Sequence, residues 1–408
     1  MKFKMLLMRT LCLGSMIACG LMAGVPAMAA DADGVPTFKY DPEWPKQLPN
    51  NWTTGVIGAI YVDKDDHVWV ATRPGSVNAS VENYALDSLG DCCAPAPPVI
   101  EFDQAGNVVQ AWGAIHAPEK RPPSTTAYPG PAKEVLIGKQ VSGPYPDGLW
   151  PISEHGIYLD YKNNVWVSSQ TNPSQVLKFS RDGKLIKQFG EGKEAASSAD
   201  TKNFAGPTQF YVDAATNEVY ISDGYRNRRI IVLDADTGAF KRMWGAYGKP
   251  PMDPQQKDPF GSDRSMENFS VTHCVMSTNE GLLYVCDRAN SRIQVLKKDG
   301  TYVNEVVVGE GTRPAAKTHL GNVWSIGFSP DKDQKFMYVA DGTNKKIWIL
   351  NRKDLKVVGS FGSGGRQGGQ FQTIHVLGVD SKGNIYAGET LSGNRIQRFL
   401  FTGMRPAN

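Results

Sequence analysis

One short pattern recurs along this chain and restricts its fold more than any other feature. It reads small–apolar–x–apolar–Asp, then a polar turn, then an aromatic-centred apolar run. It appears as Gly58-Ala59-Ile60-Tyr61-Val62-Asp63 with Val68-Trp69-Val70, and as His155-Gly156-Ile157-Tyr158-Leu159-Asp160 with Val165-Trp166-Val167. Further copies are Thr208-Gln209-Phe210-Tyr211-Val212-Asp213 with Val219-Tyr220-Ile221, and His375-Val376-Leu377-Gly378-Val379-Asp380 with Ile385-Tyr386-Ala387. Degenerate copies start at His273 and Trp324. A second half-motif follows each, as in Arg292-Ile293-Gln294-Val295-Leu296 with Asp299-Gly300, or Val176-Leu177-Lys178-Phe179 with Asp182-Gly183.

Alternating apolar residues joined by short polar turns read as antiparallel strands. Self-similarity at a fixed period means an array of units that share one core. The modules run approximately over 57–113, 155–190, 207–245, 271–309, 323–362 and 374–403. Six four-stranded units in one chain predict an all-β fold, a six-bladed β-propeller formed as a single domain over 31–408. The last module lacks an outer strand, which Phe38-Lys39-Tyr40-Asp41 could supply to close the ring and remove a free sheet edge. Two Pro-rich stretches, 74–98 and 114–152, interrupt the pattern as loops able to shape a binding site.

Residues 1–30 stand outside this pattern. Lys2, Lys4 and Arg9 precede an apolar run from Leu11 to Val25, and Ala27-Met28-Ala29 offers small residues for cleavage. This is the layout of a secretory signal peptide, so the protein is expected to be exported, periplasmic or secreted. A lipoprotein anchored at Cys19 is the alternative. The apolar run is short for a membrane anchor, and a mean hydropathy of −0.35 argues against a polytopic membrane protein, so no membrane span is expected. Those three cations account for the whole formal charge of +3, and the rest of the chain is neutral. Nucleic-acid binders usually carry a basic excess, so none is expected as partner.

Aligning the modules on the Asp of the first half-motif and stepping back five residues gives Gly58, His155, Thr208, His273, Trp324 and His375. The first strand of a propeller blade lines the central channel, so these six residues should form one ring. Three of the chain's six histidines fall on it, in blades two, four and six. Alternate blades are related by a third of a turn, so the imidazoles should converge on the axis. Three neutral imidazoles with an open fourth position describe a catalytic zinc site, although ligand type alone also admits iron or another divalent metal. The competing structural reading is a set of channel histidines bound to water or backbone carbonyls. His67, His116 and His319 read as ordinary turn or loop residues.

The second strand of each blade runs back to the same face, so the loops after it surround the ring. They carry Thr72-Arg73-Pro74, Ser222-Asp223-Gly224-Tyr225-Arg226, Cys286-Asp287-Arg288 and Ala340-Asp341-Gly342. Tyr225 and Arg73 stand out, because a phenol between a divalent cation and a guanidinium loses its proton more easily and serves as a base. Equally, Tyr225 could be an aromatic lid and Arg73 a surface ion-pair partner.

On these residues the chain resembles the NHL-repeat propellers, and within them the peptidyl-α-hydroxyglycine α-amidating lyases, also called peptidylamidoglycolate lyases. The resemblance covers nearly all of the chain after residue 30. It is carried by Glu154-His155-Gly156-Ile157 with Asn164-Val165-Trp166-Val167, and by Pro207-Thr208 through Ile221-Ser222-Asp223-Gly224-Tyr225. Phe269 to His273, Asp287-Arg288-Ala289-Asn290, Arg292-Ile293-Gln294 and Phe371 to His375 extend it. The resemblance implies zinc held by His155, His273 and His375, with Tyr225 removing the substrate's hydroxyl proton and Arg73 holding anionic charge. The carbon–nitrogen bond of a carbinolamide would then break to an amide and glyoxylate. A small-molecule or peptide substrate follows, with a separate hydroxylase as the partner that makes it.

Several positions depart from that family. Its structural calcium uses carbonyls matching Ile60 and Ile157 plus an Asp that is Val376 here, which counts against calcium. The family's Met two residues before the last histidine is Thr373, a disulfide cysteine is Arg226, and neither family disulfide is retained. Two other readings compete. One is a non-enzymatic NHL propeller that binds a protein, peptide or glycan. The other is a lactonase-like hydrolase, which needs a carboxylate-rich calcium site, and the ring offers no Asp or Glu. Cys92-Cys93 could form a vicinal disulfide or bind metal, with a structural role favoured. Cys274 and Cys286 would face each other across two strands if the register allows.

Overall fold

The computed structural model describes residues 34–77, 92–114, 149–171, 173–253, 266–309 and 320–406. The leader-like stretch 1–30 with Cys19, most of the loop 114–152, His116 and His319 lie outside the described residues.

The recurring Asp explains why each module folds as it does. Asp63 Oδ1 accepts the backbone N–H groups of Asp65 and His67, while its Oδ2 accepts Trp69 Nε1 at 3.1 Å. Asp160 repeats this with Lys162, Asn164 and Trp166, and Asp380 with Lys382, Asn384 and Tyr386. One carboxylate thus closes the turn and fixes the aromatic residue six positions later on the returning strand. Asx turns of this kind satisfy backbone donors that the turn would leave unpaired. The second half-motif has a similar logic. Asp223 pairs with Arg229, Asp287 with Arg292 and Glu389 with Arg395, tying the end of each second strand to the start of the third.

Six four-stranded antiparallel sheets result. Their innermost strands are Val56–Val62, Glu154–Leu159, Pro207–Asp213, Thr272–Ser277, Ser325–Phe328 and Ile374–Val379. These strands contact one another in closed order around an axis, the sixth touching the first. The outermost strands of blades one to five are Val108–Trp112, Leu185–Phe189, Phe240–Trp244, Tyr302–Val307 and Val357–Phe361. The fold is therefore the expected six-bladed propeller. Its cores lie between blades, as where Trp44, Ile57, Ile60, Val376 and Tyr386 fill the seam of blades six and one.

The sixth blade is closed as expected. Val35–Asp41 pairs antiparallel with Ile396–Arg405, with Phe38 opposite Phe401. Phe38 stacks on Phe361 of blade five at 4.7 Å and meets Tyr338 edge-on at 5.5 Å. The N-terminal strand therefore seals both its own sheet and the seam to its neighbour. A small addition lies in the loop after blade one's second strand. Ala94–Pro95 pairs parallel with Trp52–Thr53.

Cys274 and Cys286 are directly opposed across the two inner strands of blade four, Cα–Cα 4.8 Å, and form a disulfide. Cys92 and Cys93 form a vicinal one. Among the described residues no helix is long and apolar enough to cross a membrane.

Candidate metal centre

His155, His273 and His375 each begin an innermost strand, and the axis brings them together. Their ring centroids are 4.8, 4.9 and 5.0 Å apart, and all three are buried. Gly58 makes room in the same ring, since a Cβ there would stand 2.3 Å from the Glu154 carbonyl oxygen. Trp324 packs its indole against His273 and His375 at 5.8 and 5.7 Å, forming a wall between blades four and six.

Hydrogen bonds aim two of the imidazoles. His273 Nδ1 donates to the Trp324 carbonyl at 2.5 Å, and His375 Nδ1 donates to the Ile57 carbonyl at 2.7 Å. Each histidine thus leans on the next blade's innermost strand and turns its Nε2 lone pair inward. Backbone acceptors behind metal-binding imidazoles fix the tautomer in this way. His155 lacks that support, and its Nδ1 is buried without a partner among the described residues. Its Nε2 instead lies 2.9 Å from Tyr225 Oη.

Burial sets the charge of the cluster. It pushes His155 and His273 well below the usual imidazole range, helped by the neighbouring imidazoles for the first and by Arg288 for the second. His375 falls to about 3, through burial and then the charge of Arg73. Three neutral imidazoles with facing lone pairs form a donor set that suits a divalent cation. The three donor atoms lie within 4.8 Å of one another, so the triad fits a metal.

Calcium does not fit. Val376 is packed among Ile57, Ile60 and Tyr386. The axial cavity of about 250 Å3 that holds Ile60 and Ile157 is lined by no carboxylate.

Tyr225 follows the second strand of blade three, and its hydroxyl also lies 3.4 Å from His273 Nε2. With Val271 and Ala289 it forms a small buried cluster over the ring. Arg73 ends the second strand of blade one. Its Nε donates to the Glu154 carbonyl at 2.7 Å and its Nη2 to Gln170 Oε1 at 2.8 Å. Burial lowers its affinity for a proton, while the charges of Tyr225 and Glu154 act the other way. Glu154 is buried too, which raises its carboxyl to about 7, and Oε1 accepts Trp150 Nε1.

Arg288, which sequence reasoning named only as part of a loop, holds the more direct position. Its Nη1 donates to Tyr225 Oη at 3.2 Å, and its guanidinium covers the Trp324 ring at 4.5 Å. Its loop follows Asp287 as the Tyr225 loop follows Asp223, and this correspondence was the available signal.

His67 proves not to be a simple solvated turn residue. Its Nδ1 lies 2.7 Å from Glu101 Oε1, beside Asp63. Arg181 from blade two fills that cluster, bonded to both carboxylates. A tethered guanidinium thus already supplies the cation there.

No protein-family model matches the chain. Its relatives include the peptidyl-glycine alpha-amidating monooxygenase of Mus musculus, 26% identical over 263 residues, or 62% of this chain and 24% of that protein. NHL repeat-containing protein 3 of Mus musculus is 25% identical over 382 residues, covering 90% of this chain and 84% of its own. A probable peptidyl-alpha-hydroxyglycine alpha-amidating lyase of Caenorhabditis elegans is 26% identical over 191 residues, 46% of this chain and 49% of that one. The matched region spans about a quarter of the length of the amidating monooxygenases.

Proposed function

We propose that this propeller is an exported, zinc-dependent lyase that cleaves the carbon–nitrogen bond of an α-hydroxyglycine-type carbinolamide to an amide and glyoxylate. The observation that carries the reading is a buried triad of neutral imidazoles with the Tyr225 hydroxyl 2.9 Å from one and 3.4 Å from another. The similarity to amidating enzymes supports the reaction class.

When bound, zinc would supply Lewis acidity toward a substrate oxygen. The remaining work falls to side chains. Tyr225, as its phenolate, takes the proton of the substrate's hydroxyl and becomes a phenol. The carbon–oxygen bond becomes a carbonyl, and the electron pair of the carbon–nitrogen bond moves to nitrogen. Tyr225 returns the proton there, so the amide leaves neutral and the phenolate is restored. Arg288 donates to Tyr225 Oη and supports negative charge on it while the proton is away. Arg73, braced on Glu154 and Gln170, adds positive field to the same space.

Such a substrate requires prior oxidation at a glycine α-carbon, which in this reading belongs to a separate hydroxylase. Export rests on the leader-like layout of residues 1–30, and sequencing the N-terminus of the mature protein tests it.

A second reading is a propeller that binds a protein, peptide or glycan without turning it over. The match to NHL repeat-containing protein 3 favours it, because it spans more of this chain than the matches to the amidating enzymes. Metal analysis followed by glyoxylate assay with α-hydroxyhippurate separates the two. About one zinc per chain with glyoxylate release supports the lyase. A zinc-loaded sample that releases none overturns it.

A further inference from the structure

Lys345 lies on the same face as the triad, in the loop Gly342–Lys345 that follows the second strand of blade five, Phe336–Asp341. Gly342 lets that loop sit directly on the ring wall. A Cβ at Gly342 would stand 2.6 Å from Trp324 Cε2 and 2.8 Å from the Ile374 carbonyl. The loop is thus pressed between the indole that packs on His375 and the backbone adjoining His375.

The Lys345 ammonium points into this junction. It donates to the Gly342 carbonyl at 2.7 Å and to Thr373 Oγ1 at 3.0 Å. Thr373 is buried and sits two residues before His375. Lys345 itself adopts a left-handed backbone conformation, φ 59°, which lysine rarely takes. Its backbone N–H is fixed to the Asp341 carbonyl. Chain geometry and two neutral oxygens therefore hold this cation in place.

No carboxylate among the described residues lies within ion-pairing distance of it. The charges of Asp341 and Glu389 act on it more weakly than its burial does. A partly buried cation with no counter-charge is costly, and an ammonium has three donors, of which two are used among the described residues. An anion arriving at the site would offset that cost.

We propose that Lys345 is a specificity-determining residue that receives the substrate's carboxylate at the junction of blades five and six. This rests on the lyase reading for the identity of the substrate, but the recognition itself can be measured without turnover. Thr373 accepts a hydrogen bond from the ammonium, and Gly342 keeps the loop against Trp324 of the ring. The carboxylate is the part of an α-hydroxyglycine that leaves as glyoxylate. Lys345 would thereby distinguish the acid from its neutral amide or ester.

The test uses the zinc-loaded full chain and two non-reacting probes, hippurate and its neutral amide hippuramide, with affinities read by calorimetry. Lys345→Asn removes the charge with a residue that tolerates the left-handed conformation, so the loop is kept. Hippurate affinity is expected to fall about tenfold or more, with hippuramide affinity unchanged, because a charge-assisted hydrogen bond is lost. Lys345→Arg should restore most of it. Equal hippurate affinity in Lys345→Asn and the unaltered protein would overturn the proposal, and so would absence of hippurate binding to the unaltered zinc-loaded protein. Hippurate binding that depends on Lys345, without glyoxylate from α-hydroxyhippurate, would discard the lyase and leave the carboxylate site standing.

Discussion

Arg288 Nη1 donates to Tyr225 Oη across 3.2 Å, and the two residues come from corresponding loops of neighbouring blades. The pair places a fixed positive charge beside the phenol that also meets His155 Nε2. Negative charge on a phenol oxygen held by a guanidinium is already stabilised by protein. Replacing Tyr225 with Phe should leave fold and metal content intact and lower turnover by about 10²–10⁴-fold, the usual worth of a positioned acid–base group. Arg288→Gln should lower turnover with less effect on metal content than any histidine variant. Glyoxylate formation and bound zinc, measured on the same samples, check both.

Metal should also stabilise the ring, because the three imidazoles proposed to hold it come from blades two, four and six. A ligand present at a hundredfold excess over its dissociation constant adds about 2.7 kcal/mol. Chelation should lower the Tm of the purified protein, and zinc should restore it. His155→Ala, His273→Ala and His375→Ala should each lose that response. Undiminished metal content in all three would sink the assignment of the triad.

The seam closed by Phe38 offers a test of the fold itself. Its ring touches Phe361, Tyr338 and Phe401 while half-buried. Phe38→Ala should cost about 2 kcal/mol, below the usual range for a fully buried phenylalanine. Denaturant unfolding reads this, and the metal content of the folded fraction should not change.

Acid sensitivity should be traceable to Asp236. Hydrogen bonds from Lys162 and then Lys178 lower its carboxyl to about 2. A carboxyl depressed in the folded state contributes stability that is whole above its unfolded value, about 3.9, and is lost as pH falls through its folded value. Unfolding curves of Asp236→Asn should therefore change less between about pH 4 and pH 2 than those of the unaltered protein.

Cys274 and Cys286 join the strand that carries His273 to its neighbour. Replacing both with Ala should lower stability by about 3 kcal/mol, a typical worth for a disulfide. A thiol assay under denaturing conditions should find neither of them free before reduction.

The propeller was legible because two signals recur along it, an Asp that closes the first turn in blades one, two, three and six, and in blades three, four and six an Arg paired with the acidic residue that ends the second strand. Those residues act within a single hairpin, so spacing along the chain reports their contacts. The ring of histidines was legible for the same reason, since each holds one position in the repeat. Arg288 was not, because its meaning comes from Tyr225 on the neighbouring blade, 63 positions away. Lys345 was hidden more deeply. It sits four residues past the repeat's Asp341, and only the folded loop brings its ammonium to Thr373. His67 was misread because its partner, Glu101, belongs to another strand and is shared with Arg181 of another blade. The disulfide of blade four turned on one residue of register, which alternation alone leaves open.

The strand Val35–Asp41 meets its partner through residues at least 357 positions apart, the separation of Asp41 and Arg398. During synthesis, this first strand of the propeller must wait for the last before it has a hydrogen-bonded neighbour. Until then five complete blades stand as an open arc with two raw edges. A partly made chain is therefore at its most adhesive just before it is finished. The contact that completes the molecule is also the one that ends its exposure to other copies of itself.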